Sequence, residues 1–283
     1  ADDGGSSGEL RRTLGILPPG DIRNCLAALS NDEDLLTQLF QYRFSGSEEL
    51  SGHSFGNLFI SAMVDITGSF DDAILESGKV LSVFGKVLPS TLENVHLVAD
   101  VQLPNIDSEV RVVGESRIPE ATGKVRRVWI EPNDAMAFPA AIQSILNADM
   151  IIVGPGSIFT SILPNLLVPD LLAAFQSSRA LKILVCNIAT QKGETDQFNL
   201  NDHVKALEDN IGSPSFDLII CNDNYSVPQP EGTEWVVMDE EMVKDQRIYC
   251  GDLIDIEFPW RHDSKKLAKI LMDLLFEKTG PLI

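Results

Sequence analysis

Glycine beside hydroxyl, amide and charged side chains recurs along this chain, and each cluster has the make-up of a phosphate cradle. Gly154-Pro155-Gly156-Ser157 follows the apolar run Met150 to Val153 and precedes an apolar, helix-like segment. A buried strand emptying into a glycine loop at a helix start aims backbone N–H groups and the positive end of a helix dipole at one point. Glycine is needed where the backbone bends sharply or touches a ligand. Asp2-Asp3-Gly4-Gly5-Ser6-Ser7 adds hydroxyls, flexible backbone and a pair of carboxylates that also suits a divalent ion. Gly20-Asp21-Ile22-Arg23-Asn24 sets an acid, a guanidinium and an amide within one turn of a helix start. His53-Ser54-Phe55-Gly56-Asn57 repeats the formula with a ring able to stack on a base, and Asn187 to Asp196 follows another apolar run. Plainer roles stay open: Asp21 can cap its helix while Arg23 pairs locally, and Asn187 to Asp196 can be a polar loop. There is no GxGxxG dinucleotide turn and no GxxxxGK[ST] loop.

These clusters do joint work only if secondary structure carries them to one rim. After an opening loop the pattern predicts helices from Gly20 to Leu29, from an Asn31 cap to Tyr42, over His53 to Ile66, and over 70–84 behind a Ser69 cap. Residues 86–131 change character. Runs 95–103, 109–115 and 124–130 are β-rich and are parted by turn residues such as Pro104-Asn105 and Thr122-Gly123. They read as a small strand-rich insertion or an antiparallel extension, with Arg126 and Arg127 facing opposite ways in the last run. From Ala137 the order is a helix, strand MIIV, a helix from the glycine loop, strand ALKILVCN, a helix from Asn201, and strand FDLIIC. A short run EWVVMD, an irregular segment and an amphipathic helix from Ser264 to Glu277 complete it. Such alternation implies one α/β domain with a mostly parallel sheet and helices on both faces, its ligands gathering at the carboxyl ends of the strands.

At 283 residues and 44% hydrophobic content the chain has material for one substantial core, and its formal charge is −20. That charge argues against nucleic acid and against an anionic membrane surface, so any phosphate must be met by backbone amides and a few placed arginines. Cys25, Cys186, Cys221 and Cys250 show no CxxC spacing, which points to a reducing cytoplasm and away from a disulfide framework or zinc site. No run approaches a membrane span. The opening Ala1-Asp2-Asp3 reads as the middle of a motif, implying that residues precede it.

Four ordered blocks resemble one family: DDGGSSGELRRTLGILPPGDIRNCLAALS, GHSFGNLFI, DMIIVGPGSIFTSILPNLLVP and VCNIATQKGETDQFNLNDHVKAL. They are similar to the gluconeogenesis-factor (YvcK-like) proteins, in the superfamily of the 2-phospholactate transferase CofD. The resemblance implies a three-layer Rossmann-like fold and a homodimer. It also implies a cytoplasmic regulator of carbon metabolism, cell shape and envelope synthesis that binds a UDP-sugar such as UDP-N-acetylglucosamine and acts on a protein partner. The transferase branch implies instead an enzyme with a deazaflavin acceptor, a guanine-nucleotide donor and Mg2+, for which Asp2 and Asp3 are the candidate ligands. Cys186-Asn187 running into Thr190 and Gly193-Glu194-Thr195-Asp196, with Arg261-His262-Asp263 at the last helix, looks like the regulator branch. On this resemblance Tyr225 stacks on uracil and Arg261 pairs with a phosphate. Gly4, Gly5, Gly154, Gly156 and Ser157 meet phosphate, Arg23 neutralises charge, and Asn57 and Asn187 orient the ligand. Ser6, Asp21, Asn24, Phe55, Pro155 and Thr190 complete the expected site. A nicotinamide oxidoreductase has only the fold class in its favour. Family members carry a strand and a GGGTG loop ahead of the DDGG block. Either that segment lies outside these residues, or the chain has lost part of its site and binds more weakly.

Overall fold

The computed structural model describes residues 1–30, 35–46, 50–104, 108–212, 215–240 and 242–279. The expected Asn31 cap and the turn residue Asn105 lie outside the described residues. Helix α1 (Gly5–Leu14) occupies what the sequence pattern treats as an opening loop. Its first turn, Gly5-Ser6-Ser7-Gly8, is poor helix-forming sequence, so burial decides. Ser6, Ser7, Gly8, Leu10 and Arg11 are all buried. A Cβ on Gly8 would stand 1.9 Å from the Asp3 carbonyl oxygen, so only glycine permits this approach.

Helices α2 (Gly20–Ala28), α3 (Leu35–Gln41), α4 (Phe55–Thr67) and α5 (Phe70–Val80) follow. The Ser54 hydroxyl accepts from the Asn57 N–H and that of Ser69 from the Asp72 N–H, which are ordinary N-caps. Leu26, Phe40, Ile60 and Leu81 join these helices in a core of their own. Strands β1 (His96–Gln102), β2 (Glu109–Val113) and β3 (Lys124–Glu131) form an antiparallel sheet in the order β2-β1-β3. Its register slips between Asp100 and Val101, which pair with Arg127 and Val125. Arg126 is therefore the extra residue of a β-bulge. This corrects the expectation of opposed arginines: both Arg126 and Arg127 are exposed, while Val125 and Val128 keep to the core.

The second half alternates as expected. Helix α6 (Pro139–Leu146) leads to β4 (Met150–Val153), then a π-helical turn (Ile158–Ile162) runs into α7 (Leu163–Leu166) and α8 (Pro169–Ser177). Next come β5 (Leu181–Val185), α9 (Leu200–Ile211), β6 (Leu218–Asn222), β7 (Ile248–Gly251) and α10 (Ser264–Thr279). Strands β4-β5-β6-β7 are parallel neighbours in that order. Strand β7 falls in the segment read as irregular, and EWVVMD contributes only the bridge of Trp235 to Ala189. Alternate residues of β5 and β6 enter different cores: Leu184 and Ile219 pack with α8 and α9, whereas Ile183, Val185 and Ile220 pack with Leu271 and Leu274 of α10. Helices thus cover both faces, and every parallel strand delivers its following loop to the same edge. Among the described residues no single helix is long and apolar enough to cross a membrane; the apolar pair 158–166 and 169–177 is bent by 80°.

Candidate functional site

At the carboxyl edge of the sheet, the loops after β4 and β5 meet the turn before α10. They enclose a cleft of about 800 Å³ lined by Pro155, Gly156, Asn187, Thr190, Trp260 and Arg261, among others. Gly154 makes the bend, with φ +83°; a Cβ there would lie 2.7 Å from the Val185 carbonyl oxygen. Asn187 then fastens the loop. It accepts from the Gly156 N–H at 3.0 Å and donates Nδ2 to the Gly156 carbonyl at 2.9 Å. Gln191 Nε2 donates to Ser157 Oγ at 2.9 Å. Thr190 exchanges hydrogen bonds with the Glu234 backbone through its own N–H and hydroxyl, building the far wall.

Part of the expected phosphate cradle is therefore committed internally. The Gly156 amide is held by Asn187, and Pro155 has no N–H. The π-helical turn meets a carboxylate of the protein itself: Thr160 donates its hydroxyl to Glu194 Oε1 at 2.8 Å. Burial pushes the Glu194 carboxyl above its usual range, and hydrogen bonds from Thr160, Ser157 and the amides of Phe159 and Thr160 pull it back. His262, on the cleft wall, is pushed down to about 4 by burial, against a hydrogen bond with the Cys186 backbone, so it is neutral at neutral pH.

Arg261 is exposed, its guanidinium 5.7 Å from the centre of the Phe258 ring. Its backbone is held at both ends, N–H to the Phe258 carbonyl at 2.7 Å and carbonyl from the Asp255 N–H at 3.0 Å. Among the described residues it forms no ion pair. Tyr225 stands outside the cleft lining. Its ring meets Trp235 edge-on at 5.4 Å and its hydroxyl donates to the Asn222 carbonyl. Trp235 in turn bridges to Ala189 of the cleft.

Asp2, Asp21 and Asn24 line a second hollow of about 360 Å³, whose other wall carries Thr160 and Ser161. The cleft and this hollow share no lining residue, so the expected residues do not meet in one space. Asp3, Gly4, Gly5, Ser6, Arg23, Phe55, Asn57, Gly154, Ser157 and Tyr225 line neither. Asp2, Asp3 and Asp21 do gather around Glu115, whose carboxyl is pushed up to about 7 by burial first and by those three charges next.

The two carboxylates of the Asp2-Asp3 pair are each engaged by a different backbone amide. Asp2 Oδ1 accepts from the Gly4 N–H at 3.1 Å, while Asp3 Oδ1 accepts from the distant Ser116 N–H at 2.9 Å. Among the described residues no three His, Cys, Asp or Glu side chains are grouped to hold a metal. Gly4-Gly5-Ser6-Ser7-Gly8 spells GxSxG, and Ser6 does belong to a relay. Asn57 Nδ2 donates to Ser6 Oγ at 3.1 Å, Ser6 Oγ lies 3.0 Å from His53 Nδ1, and His53 Nε2 lies 3.3 Å from Glu9 Oε2. Ser6, His53 and Asn57 are all buried, so the relay fastens α1 to α4. Phe55 packs against Phe59. Arg23 is buried and donates to Asn24 Oδ1 at 2.6 Å. Gln191, Trp260 and His262 line the cleft without being marked as site residues by the sequence pattern, although Gln191 lies in the Asn187–Asp196 run and His262 follows Arg261.

Asn187→Ala is expected to destabilise the protein by about 1–3 kcal/mol, because it orphans both polar groups of Gly156. Urea unfolding checks it; an unchanged midpoint would show that the loop does not depend on the clamp.

The profile described as "2-phospho-L-lactate transferase CofD" matches residues 1–272. A putative gluconeogenesis factor of Nostoc sp. is 46% identical over 96% of this chain, which spans 61% of that protein's length. The gluconeogenesis factor of Bacillus subtilis is 44% identical, with 98% of this chain and 89% of that protein aligned. A crystal structure of a UPF0052-family protein from Bacillus halodurans superposes with TM-score 0.87 at 41% identity, covering 96% of this chain and 88% of that one.

Proposed function

The chain belongs to the gluconeogenesis factor family, within the CofD superfamily, and from that premise we propose that it is a regulatory protein that binds a nucleotide sugar, UDP-N-acetylglucosamine for choice. The observation that carries this reading is the cleft at the carboxyl edge of the parallel sheet, where a glycine loop faces Arg261, which forms no ion pair among the described residues, beside exposed rings. Open α/β sheets bind ligands at this edge. Arg261 supplies a planar, permanently charged fork for the diphosphate. Its neighbour Trp260 and, beyond Trp235, the exposed Tyr225 offer faces for the base. Gln191 and Thr233 on the same walls offer polar atoms to sugar hydroxyls. Occupancy then biases how the chain meets a protein partner, as a homodimer in the cytoplasm.

Isothermal titration of the full-length protein with UDP-N-acetylglucosamine tests this, with saturable heat expected. Absence of heat at millimolar ligand would sink it. The second reading, phospholactyl transfer to a deazaflavin acceptor, has in its favour the transferase for which the matching family is named. Incubation with a deazaflavin acceptor and a guanylylated phospholactate donor discriminates, since product formation would make the chain an enzyme.

A further inference from the structure

Three thiols come together along the carboxyl edge of the parallel sheet: Cys186 just after β5, Cys221 in β6 and Cys250 in β7. Cys221 and Cys250 are register partners of a parallel pair. Neighbouring strands lie about 4.8 Å apart, within the Cα separation a disulfide accepts. Partnered residues of a parallel pair also send their side chains from the same face. The two sulfurs already converge, with Sγ atoms 2.9 Å apart. Closing them to a covalent bond takes a movement of about 0.9 Å. Both are free thiols, Cys221 buried and Cys250 half-buried.

We infer that Cys221 and Cys250 form a reversible disulfide, a redox-responsive staple between β6 and β7 beneath the turn that carries Tyr225. The oxidant class is a peroxide. Cys250, the more accessible sulfur, gives its electron pair to one peroxide oxygen; the O–O bond breaks, a sulfenic acid forms and water leaves. Cys221 then attacks the sulfenic sulfur. The S–S bond forms as the S–O bond breaks, and the thiol proton of Cys221 departs with the hydroxyl as a second water. Burial keeps the Cys221 thiol protonated, with the Cys250 neighbour adding to the effect, which leaves first attack to Cys250; Cys221 resolves because its sulfur lies 2.9 Å away and gives up its proton as the hydroxyl leaves. The staple reaches the turn directly, because Asn222 accepts from the Tyr225 hydroxyl and from the Leu253 N–H. In a reducing compartment such a bond is transient and signals oxidation.

The test uses the wild-type chain, treated with hydrogen peroxide, blocked with N-ethylmaleimide and digested without reductant. The expected result is a Cys221–Cys250 linked peptide with loss of two free thiols per chain, reversed by dithiothreitol. With Cys221→Ser, the sulfenic acid at Cys250 is expected to persist and be captured by dimedone. A Cys186–Cys221 link, dimers joined through Cys25, over-oxidation of Cys250 without a link, or no reaction would each overturn the inference. None of these readings depends on whether a nucleotide sugar binds.

Discussion

Arg261→Ala is expected to weaken binding of UDP-N-acetylglucosamine by about 10- to 100-fold, with the melting temperature unchanged. A hydrogen bond to a charged group contributes about 1.5–3 kcal/mol, and each 1.4 kcal/mol is about tenfold in affinity. The side chain is exposed and rests on Phe258, so removing it leaves no buried cavity. The backbone bonds of Arg261 to Phe258 and Asp255 survive the change, so the wall keeps its course. Arg261→Lys is expected to fall between the two, because it keeps the charge and loses the planar fork. Titration calorimetry on the three proteins reads the series. An alanine variant that binds as tightly as wild type would move the diphosphate away from this wall.

Glu115→Gln is expected to stabilise the protein by about 2–3 kcal/mol at pH 8 and to leave it nearly unchanged at pH 4. Folded Glu115 holds its proton up to about pH 7 against an ordinary value of 4.5. Between those values the folded state binds more protons than the unfolded, so stability falls as pH rises through the window. Each unit of difference is worth about 1.4 kcal/mol, and partial exposure reduces the sum. Below the window both states are protonated and the glutamine has nothing to relieve. The cause is burial first and then the charges of Asp2, Asp21 and Asp3, neither of which penalises a neutral amide in the same way. Urea unfolding across pH 4 to 8 measures the difference. Curves that stay parallel would mean Glu115 ionises as it would in water.

Both predictions rest on groups the sequence treats very differently. Arg261 was legible as a candidate through its resemblance to a family pattern. Glu115 was not, because its burden comes from burial and from three acids that are near in space and more than ninety positions away along the chain. The same division runs through the fold. Helices α5 and α10 and strands β4, β5 and β6 were legible because period, cap and apolar run are written within a few residues. Helix α1 was not, since Gly5, Ser6, Ser7 and Gly8 favour other conformations until neighbouring segments bury them. The four residues of β7 gain their strand character from the edge that β6 offers.

Alone, the sequence determined an α/β alternation and hence that the glycine loop and the Asn187 run would share the carboxyl edge of a parallel sheet, whereas Arg261 was offered only by resemblance to a family. Periodicity and capping are short-range, so they survive in one dimension. Tertiary structure decided which polar groups remain available there. Gly156 is held by a residue 31 positions away, Ser157 by one 34 away and Ser6 by one 51 away. A hydrogen bond selects its partner by distance and angle in space, and those are set only once the packing of distant segments is complete.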